Sequence, residues 1–316
     1  MRRTTSPGGG AGGVVMKAIV FDRFGSADVL RQTDIEIPRP APGQVRVRVK
    51  AAGVNALDGK IRSGALEAVF PTRLPAVPGL EVAGIVDAVG TGVTGLRVGD
   101  EVFGWSDTGS YAQYALATTV APKPAALGWA HAVALPVAGE TADRVLALLD
   151  VTAGETLLVH GAAGAVGTVA VQLALTRGVR VIGTAGPANQ EYVASLGATP
   201  TLYGDGLVDR VRELAPDGVD AVLDIAGKGA LEDSLALRGT RERIVTLADF
   251  RAHQLGITFA DGPQQRSASR LTAWAGAAAA GDLITTVTTR PLSQAAEAQR
   301  ISDSGHSRGK IVLTTD

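Results

Sequence analysis

Hydrophobic positions fall into two textures along the chain. From residue 16 to about residue 121 they come in short runs. Residues 45–49 (VRVRV) alternate with period two, as a half-buried strand requires, because successive side chains point to opposite faces. Residues 17–21, 80–89, 101–104 and 111–116 read as further strands, separated by turns bearing Gly, Pro or Asp. Short strands at this spacing predict a barrel- or sandwich-like domain. Near residue 135 the texture changes. Residues 156–160 (TLLVH) are continuously apolar, as in a strand covered on both faces, and helical periodicity follows over 168–176. A strand at 180–184, a helix at 188–196 ending at Gly197, and strands at 219–225 and 243–247 continue the alternation. That order predicts a parallel, doubly wound sheet and an α/β fold class. Helices at 267–280 and 293–304 and a last strand at 310–313 complete the pattern.

Composition narrows the function. Hydrophobic residues make up 46% of the 316 and charged residues 19%, far from a disordered composition. The net charge of −1 offers no footprint for nucleic acid or an anionic membrane. No apolar run approaches the ~20 residues needed to span a bilayer. Cysteine is absent, which removes disulfides, iron–sulfur clusters, thiolate zinc sites and Cys nucleophiles. The four histidines (His131, His160, His253, His306) include no pair at metal-binding helical spacing, so no metal site is expected. Residues 1–15 (MRRTTSPGGGAGGVV) read as a flexible tail; the two arginines are not followed by the apolar stretch of a signal peptide. A soluble, cytoplasmic protein is expected.

The strongest local signal is residues 156–167 (TLLVHGAAGAVG), a strand entering a glycine turn that opens a helix. Gly164 lets the backbone approach a pyrophosphate and Gly167 lets the helix pack on the sheet, while the helix N-terminus offers unpaired N–H groups. Ala162 stands where the common fingerprint has its first glycine. Within successive βα units this predicts a dinucleotide site. The second strand ends in Gly183-Thr184-Ala185-Gly186-Pro187-Ala188-Asn189, with no carboxylate before Glu191 to take a ribose 2′-OH or repel a 2′-phosphate. NADP(H) is therefore the expected cofactor. Gly186, Asn189 and Tyr203 would form a neutral pocket for its phosphate, with no Lys or Arg clamp evident in the sequence.

Seven stretches in order resemble the medium-chain dehydrogenase/reductase superfamily, in particular its zinc-independent quinone oxidoreductase (zeta-crystallin-like) branch. They are 51–64 (AAGVNALDGKIRSG), 77–90 (VPGLEVAGIVDAVG), 98–104 (VGDEVFG), 109–117 (GSYAQYALA), 135–142 (LPVAGETA), the glycine loop, and 305–313 (GHSRGKIVL). The resemblance implies a GroES-like β-rich substrate domain over 16–136 and a Rossmann domain over 137–262. Residues 263–316 would form a segment returning to the substrate domain. It further implies a homodimer, for which strands at 243–247 and 256–259 would lie at a sheet edge, and a metal-free reduction of a quinone or polarised C=C.

Site residues carry over from the resemblance one by one. Asn55 matches the Asn that meets the nicotinamide ribose beside the substrate, and Thr141 a Thr near the cofactor in the inter-domain helix. Ala163, Gly164, Ala165 and Val166 match the pyrophosphate loop. Ala226, and Thr246, Leu247 and Ala248, follow the fourth and fifth parallel strands on the nicotinamide side. Lys60 matches a Tyr or Lys facing the cleft. Gly186 replaces a Ser common at the 2′-phosphate, Glu81 an Asp, and Glu140 with Asp143 an apolar pattern, which suggests a more polar cleft wall or, the reading preferred here, a solvated helix face.

Hydride transfer to an enone builds charge on its carbonyl oxygen, which calls for donors at that oxygen and a proton source. Asn55, an amide donor, and Lys60, a cation, are the catalytic candidates. The competing role for Lys60 is that of a surface ammonium. Tyr111, Tyr114 and a buried His160 read as packing residues. A tailoring reductase acting on a larger polycyclic or acyl substrate, and a non-catalytic NADPH-binding protein, remain as alternatives.

Overall fold

The computed structural model describes residues 14–260 and 264–315, so the tail reading for residues 1–13 lies outside the described residues. Strand Val15–Val20, which starts one residue before the expected boundary, pairs antiparallel with Arg31–Glu36. The larger β unit is a seven-stranded mixed sheet. Along it lie Val287–Pro291, Lys310–Thr314, Val45–Val54, Glu81–Val89, Glu101–Trp105 and Val120–Pro122, with Tyr114–Ala117 also on Val45–Val54. The alternation at 45–49 does what its period requires: Val45, Val47 and Val49 are buried while Arg46 and Arg48 point away from that core.

The second unit is a six-stranded parallel sheet in the order Thr199–Leu202, Arg180–Ala185, Thr156–His160, Ala221–Asp224, Ile244–Thr246, Thr258–Phe259. In chain order this is 3-2-1-4-5-6, the doubly wound arrangement whose crevice lies at the reversal between its first and fourth strands. The unbroken apolar run 156–160 is buried at every position, which is why it lacks a polar face.

Helix Pro136–Leu149 joins the two units. Proline at its first turn needs no amide partner, and ten of its residues are buried. Around it one continuous apolar core takes in Phe103 and Trp105 from the mixed sheet and Leu157 and Val159 from the parallel sheet. The chain then crosses back: Lys310–Thr314 pairs antiparallel with Val45–Val54.

Several expectations shift. The strand read at 111–116 begins at Tyr114, and the strand at 45–49 runs on to Val54. Strands Arg31–Glu36, Thr199–Leu202 and Val287–Pro291 are additional; their largely exposed or mixed residues carry little apolar signal. Of the two strands placed at a sheet edge, only Thr258–Phe259 lies there, because it pairs outside Ile244–Thr246.

Candidate active site

At the end of strand Thr156–His160 the chain turns through Gly161, whose φ of +81° suits glycine alone, and enters helix Ala165–Thr176 at Gly164. A Cβ on Gly167 would lie 2.2 Å from the Gly161 carbonyl oxygen, so only glycine lets the helix sit this close. A Cβ on Gly164 would meet nothing nearer than 3.5 Å, so that face is open. No side chain caps the helix, and residues 164–166 are half-exposed. Its first N–H groups and the positive end of its dipole are thus available to an anion. Ala163, Gly164, Ala165 and Val166 fit a pyrophosphate.

The turn after strand Arg180–Ala185 holds what the sequence did not reveal. Tyr203 lies beside Gly186, with its hydroxyl 3.5 Å from where a Cβ would stand. Asn189 Oδ1 accepts from Arg308 Nε at 2.7 Å, and the Ala188 carbonyl accepts from Arg308 Nη2 at 2.7 Å. The guanidinium lies over the Tyr192 ring, 5.2 Å from its centroid, and the Tyr192 hydroxyl bonds Thr168 in the helix above the glycine loop. The expectation of a pocket without a cation is therefore corrected. Arg308 arrives from the returning segment, 119 residues after Asn189, and no local pattern announces it. Gly186, Asn189, Tyr203 and Arg308 fit the extra phosphate of a phosphorylated dinucleotide.

On the other side of the crevice, strand Val45–Val54 delivers Asn55 to the start of helix Ala56–Arg62. The Asn55 carboxamide donates to Glu81 Oε2 at 2.9 Å and accepts from Lys310 Nζ at 2.6 Å. Gly309, the residue before Lys310, donates its N–H to the Ala163 carbonyl at 2.8 Å. Consecutive residues of the returning segment thus tie Asn55 to the glycine loop. Lys60, one turn into the helix, is half-buried and its ammonium has no partner among the described residues; desolvation lowers its pKa. Asp58 is buried, accepting from the Asn55 N–H at 2.8 Å and the Tyr111 hydroxyl at 3.2 Å. Burial pushes its pKa up to about 7, against the pull of those bonds and of Lys310. Burial likewise raises the Tyr111 phenol, which is not mere packing but part of this polar cluster. Tyr114 lies under the Arg46 guanidinium.

Thr141 is buried in helix Pro136–Leu149, and among the described residues its hydroxyl makes only a long contact, 3.5 Å, to Glu140. After the fourth and fifth parallel strands, Ala226, Leu247 and Ala248 are half-buried, as residues lining a crevice would be. Thr246 differs. Its hydroxyl donates to Asp224 Oδ2 at 2.8 Å and accepts the N–H groups of Ala248 and Asp249. Asp224 Oδ1 accepts from the Ala226 and Gly227 N–H groups. The Thr246 side chain therefore shapes the two crossover loops instead of facing a ligand, and Asp224 is its unforeseen partner. His160 is buried between Thr184 and Ser234, and desolvation lowers its pKa.

The solvated reading of Glu140 is wrong. Glu140 is fully buried, pairs with Arg144 at 2.8 Å and accepts the Gln265 N–H at 3.0 Å. Asp143, on the more open side, pairs with Arg177 and Arg270. An acid in an apolar-looking stretch is legible as exposed or as paired inside, and only the fold tells which.

A β-rich domain joined by a shared helix to a 3-2-1-4-5-6 parallel sheet, with the chain returning to the β-rich sheet, defines a medium-chain dehydrogenase/reductase. Two family models match the chain: the alcohol dehydrogenase GroES-like domain over residues 41–139 and the zinc-binding dehydrogenase over 165–263. Quinone oxidoreductase of Lama guanicoe is 36% identical over 240 residues, covering 73% of this chain and 72% of that protein. The chloroplastic NADPH-dependent alkenal/one oxidoreductase of Arabidopsis thaliana is 37% identical over 226 residues, 67% of this chain and 58% of that protein. The solved structure of Escherichia coli quinone oxidoreductase complexed with NADPH superposes with a TM-score of 0.84 at 27% identity, over 94% of this chain and 99% of that one. The chain belongs to the quinone oxidoreductase family. The zinc of the second model's description does not fit: the sequence has no cysteine, and among the described residues no three His, Asp or Glu converge.

Proposed function

We propose that the protein is an NADPH-dependent oxidoreductase that reduces a quinone, or the C=C of an α,β-unsaturated carbonyl. The observation that carries this reading is Asn55. Its carboxamide is held at the crevice, bonded to the strand that also holds the glycine loop, and one amide N–H is left without a protein partner among the described residues.

The chemistry NADPH would supply when bound there is a hydride for the β-carbon or quinone ring. As the hydride arrives, electron density moves onto the carbonyl oxygen. The free Asn55 N–H and the Lys60 ammonium donate to that oxygen, where fixed donors in a partly desolvated site stabilise charge more than water does. Lys60, with a lowered pKa, or solvent then gives a proton to the α-carbon of the enolate, leaving the saturated ketone, or to an oxygen of the reduced quinone, which tautomerises to the hydroquinone. Thr141, Ala226, Leu247 and Ala248 would flank the nicotinamide, Ala163 to Val166 the pyrophosphate, and Gly186, Asn189, Tyr203 and Arg308 the 2′-phosphate.

The same reading assigns a cytoplasmic enzyme acting on small molecules. It also assigns a homodimer formed through strand Thr258–Phe259, whose outer edge has no partner strand among the described residues and beside which the exposed Phe250 ring stacks on Phe259 at 5.0 Å. Sedimentation giving a monomer at micromolar concentration would remove the dimer from it.

The test of activity is NADPH oxidation with quinones and enones of graded size. Turnover of small acceptors is expected. Turnover confined to large polycyclic or acyl acceptors would indicate a tailoring reductase, and cofactor binding with no turnover at all would overturn the enzymatic reading.

A further inference from the structure

A carboxamide has nearly the same shape after a half-turn about its last bond, so an unrestrained Asn offers its oxygen and its NH2 to a ligand interchangeably. Asn55 is not unrestrained. Lys310 can only donate, and it stands 2.6 Å from one end of the carboxamide. Glu81 can only accept, and it stands 2.9 Å from the other. The two charged groups also meet each other, Nζ to Oε2, at 2.5 Å. A flipped Asn55 would put its oxygen against a carboxylate and its NH2 against an ammonium, both repulsive.

The pair is built into the fold at some cost. Both side chains are essentially fully buried, 0% exposed for Glu81 and 2% for Lys310. Buried ion pairs of this kind seldom add net stability over apolar packing, so stability alone does not account for it. Space is reserved for it as well: a Cβ on Gly53 would lie 2.1 Å from Glu81 Oε2 and 2.9 Å from Lys310 Cε. The second Glu81 oxygen accepts the Val137 N–H at 2.8 Å, in the first turn of the helix that carries Thr141. Glu81 thereby sets two elements of the proposed nicotinamide site at once.

We infer that Glu81 and Lys310 are positioning residues for hydride transfer, holding the Asn55 carboxamide in one orientation with a single N–H directed to the ligand. This rests on the reading of Asn55 as a donor to the substrate or cofactor. Neither residue touches the reacting atoms; they act through Asn55.

A double-mutant cycle separates positioning from general support. Single-turnover hydride transfer from NADPH to a small quinone would be measured for wild type, Asn55→Ala, Lys310→Met and the double variant, alongside NADPH binding by fluorescence titration. Asn55→Ala and Lys310→Met are each expected to slow the step by about 100-fold, the scale of a misplaced reacting group. NADPH affinity should move less than about threefold, and the double variant should be no slower than Asn55→Ala alone. If the two losses multiply, or Lys310→Met leaves the step unchanged, the positioning role is overturned while Asn55 stands. If Asn55→Ala leaves the step unchanged, the reading of Asn55 itself fails. Should the unpaired Glu81 prevent Lys310→Met from folding, Glu81→Gln/Lys310→Met removes both buried charges and enters the cycle in its place. The same outcomes decide.

Discussion

Replacing Arg308 by Met removes the cation at the end of the second parallel strand and keeps an unbranched side chain able to cover the Tyr192 ring. The guanidinium spends Nε on Asn189 and one Nη2–H on Ala188, leaving further N–H donors for a phosphate. A hydrogen bond to a charged group contributes roughly 1.5–3 kcal/mol. Arg308 is exposed, so solvent screening selects the lower end, about 1.5–2 kcal/mol. That corresponds to a fall of about 10- to 30-fold in kcat/KM for NADPH. NADH has no 2′-phosphate, so its kcat/KM should move less than about twofold. Because the interaction is charge-based and near the surface, the wild-type preference for NADPH should also shrink as salt is raised, whereas that of the Met variant should not. The assay is initial-rate nicotinamide oxidation at one fixed quinone concentration, with each cofactor varied in turn at low and high salt. Equal losses with both cofactors would mean that Arg308 only braces the turn at Ala188 and Asn189. No loss with either would place the phosphate elsewhere.

Three further outcomes are expected. Gly186→Asp has room for its side chain, since a Cβ there meets nothing nearer than 3.5 Å. Its carboxylate should lower the NADPH-to-NADH ratio of kcat/KM by about tenfold or more, and an unchanged ratio would misplace the pocket. Asp58, with its folded pKa raised to about 7 from 3.8, holds its proton more tightly folded than unfolded. Its contribution to stability is therefore complete below the unfolded value and is lost as pH rises through about 7, at about 1.4 kcal/mol per pH unit. Asp58→Asn should gain on wild type by roughly 4 kcal/mol between about pH 4 and about pH 8 in urea unfolding, and a pH-independent difference would refute this. Gly53→Ala pushes a methyl group into Glu81 and Lys310 and should cost about 3 kcal/mol of stability; a variant as stable as wild type would show that the pair can move aside.

The two textures of the sequence correspond to two kinds of sheet, because strand period and strand burial are local consequences of the backbone. Val45, Val47 and Val49 alternate because one face of their strand is buried, and residues 156–160 do not alternate because both faces are. The glycine loop was equally legible. Gly161, Gly164 and Gly167 answer to constraints set within seven residues of chain: a left-handed turn, an open face and a helix pressed on a strand. The missing carboxylate after Thr184 belongs to the same class of short-range signals.

The partners of these elements were a different matter. Asn55 was singled out, but the groups that orient it come from residues 81 and 310, and its bond to Lys310 spans 255 positions. Arg308 stood in plain view as one of many arginines, and only the return of the chain to strand Val45–Val54 carries it to Asn189. Glu140 looked like a surface acid because a helix face shows its period but not what packs against it. Periodicity, caps and turns are written in neighbouring residues, so the sequence by itself determined most of the elements, the doubly wound sheet and the glycine turn. Charge pairing and hydrogen bonding depend on distances between segments far apart in the chain and leave no periodic trace. Which acid is buried, which cation meets Asn189 and which way the Asn55 amide points were therefore decided only by the tertiary structure.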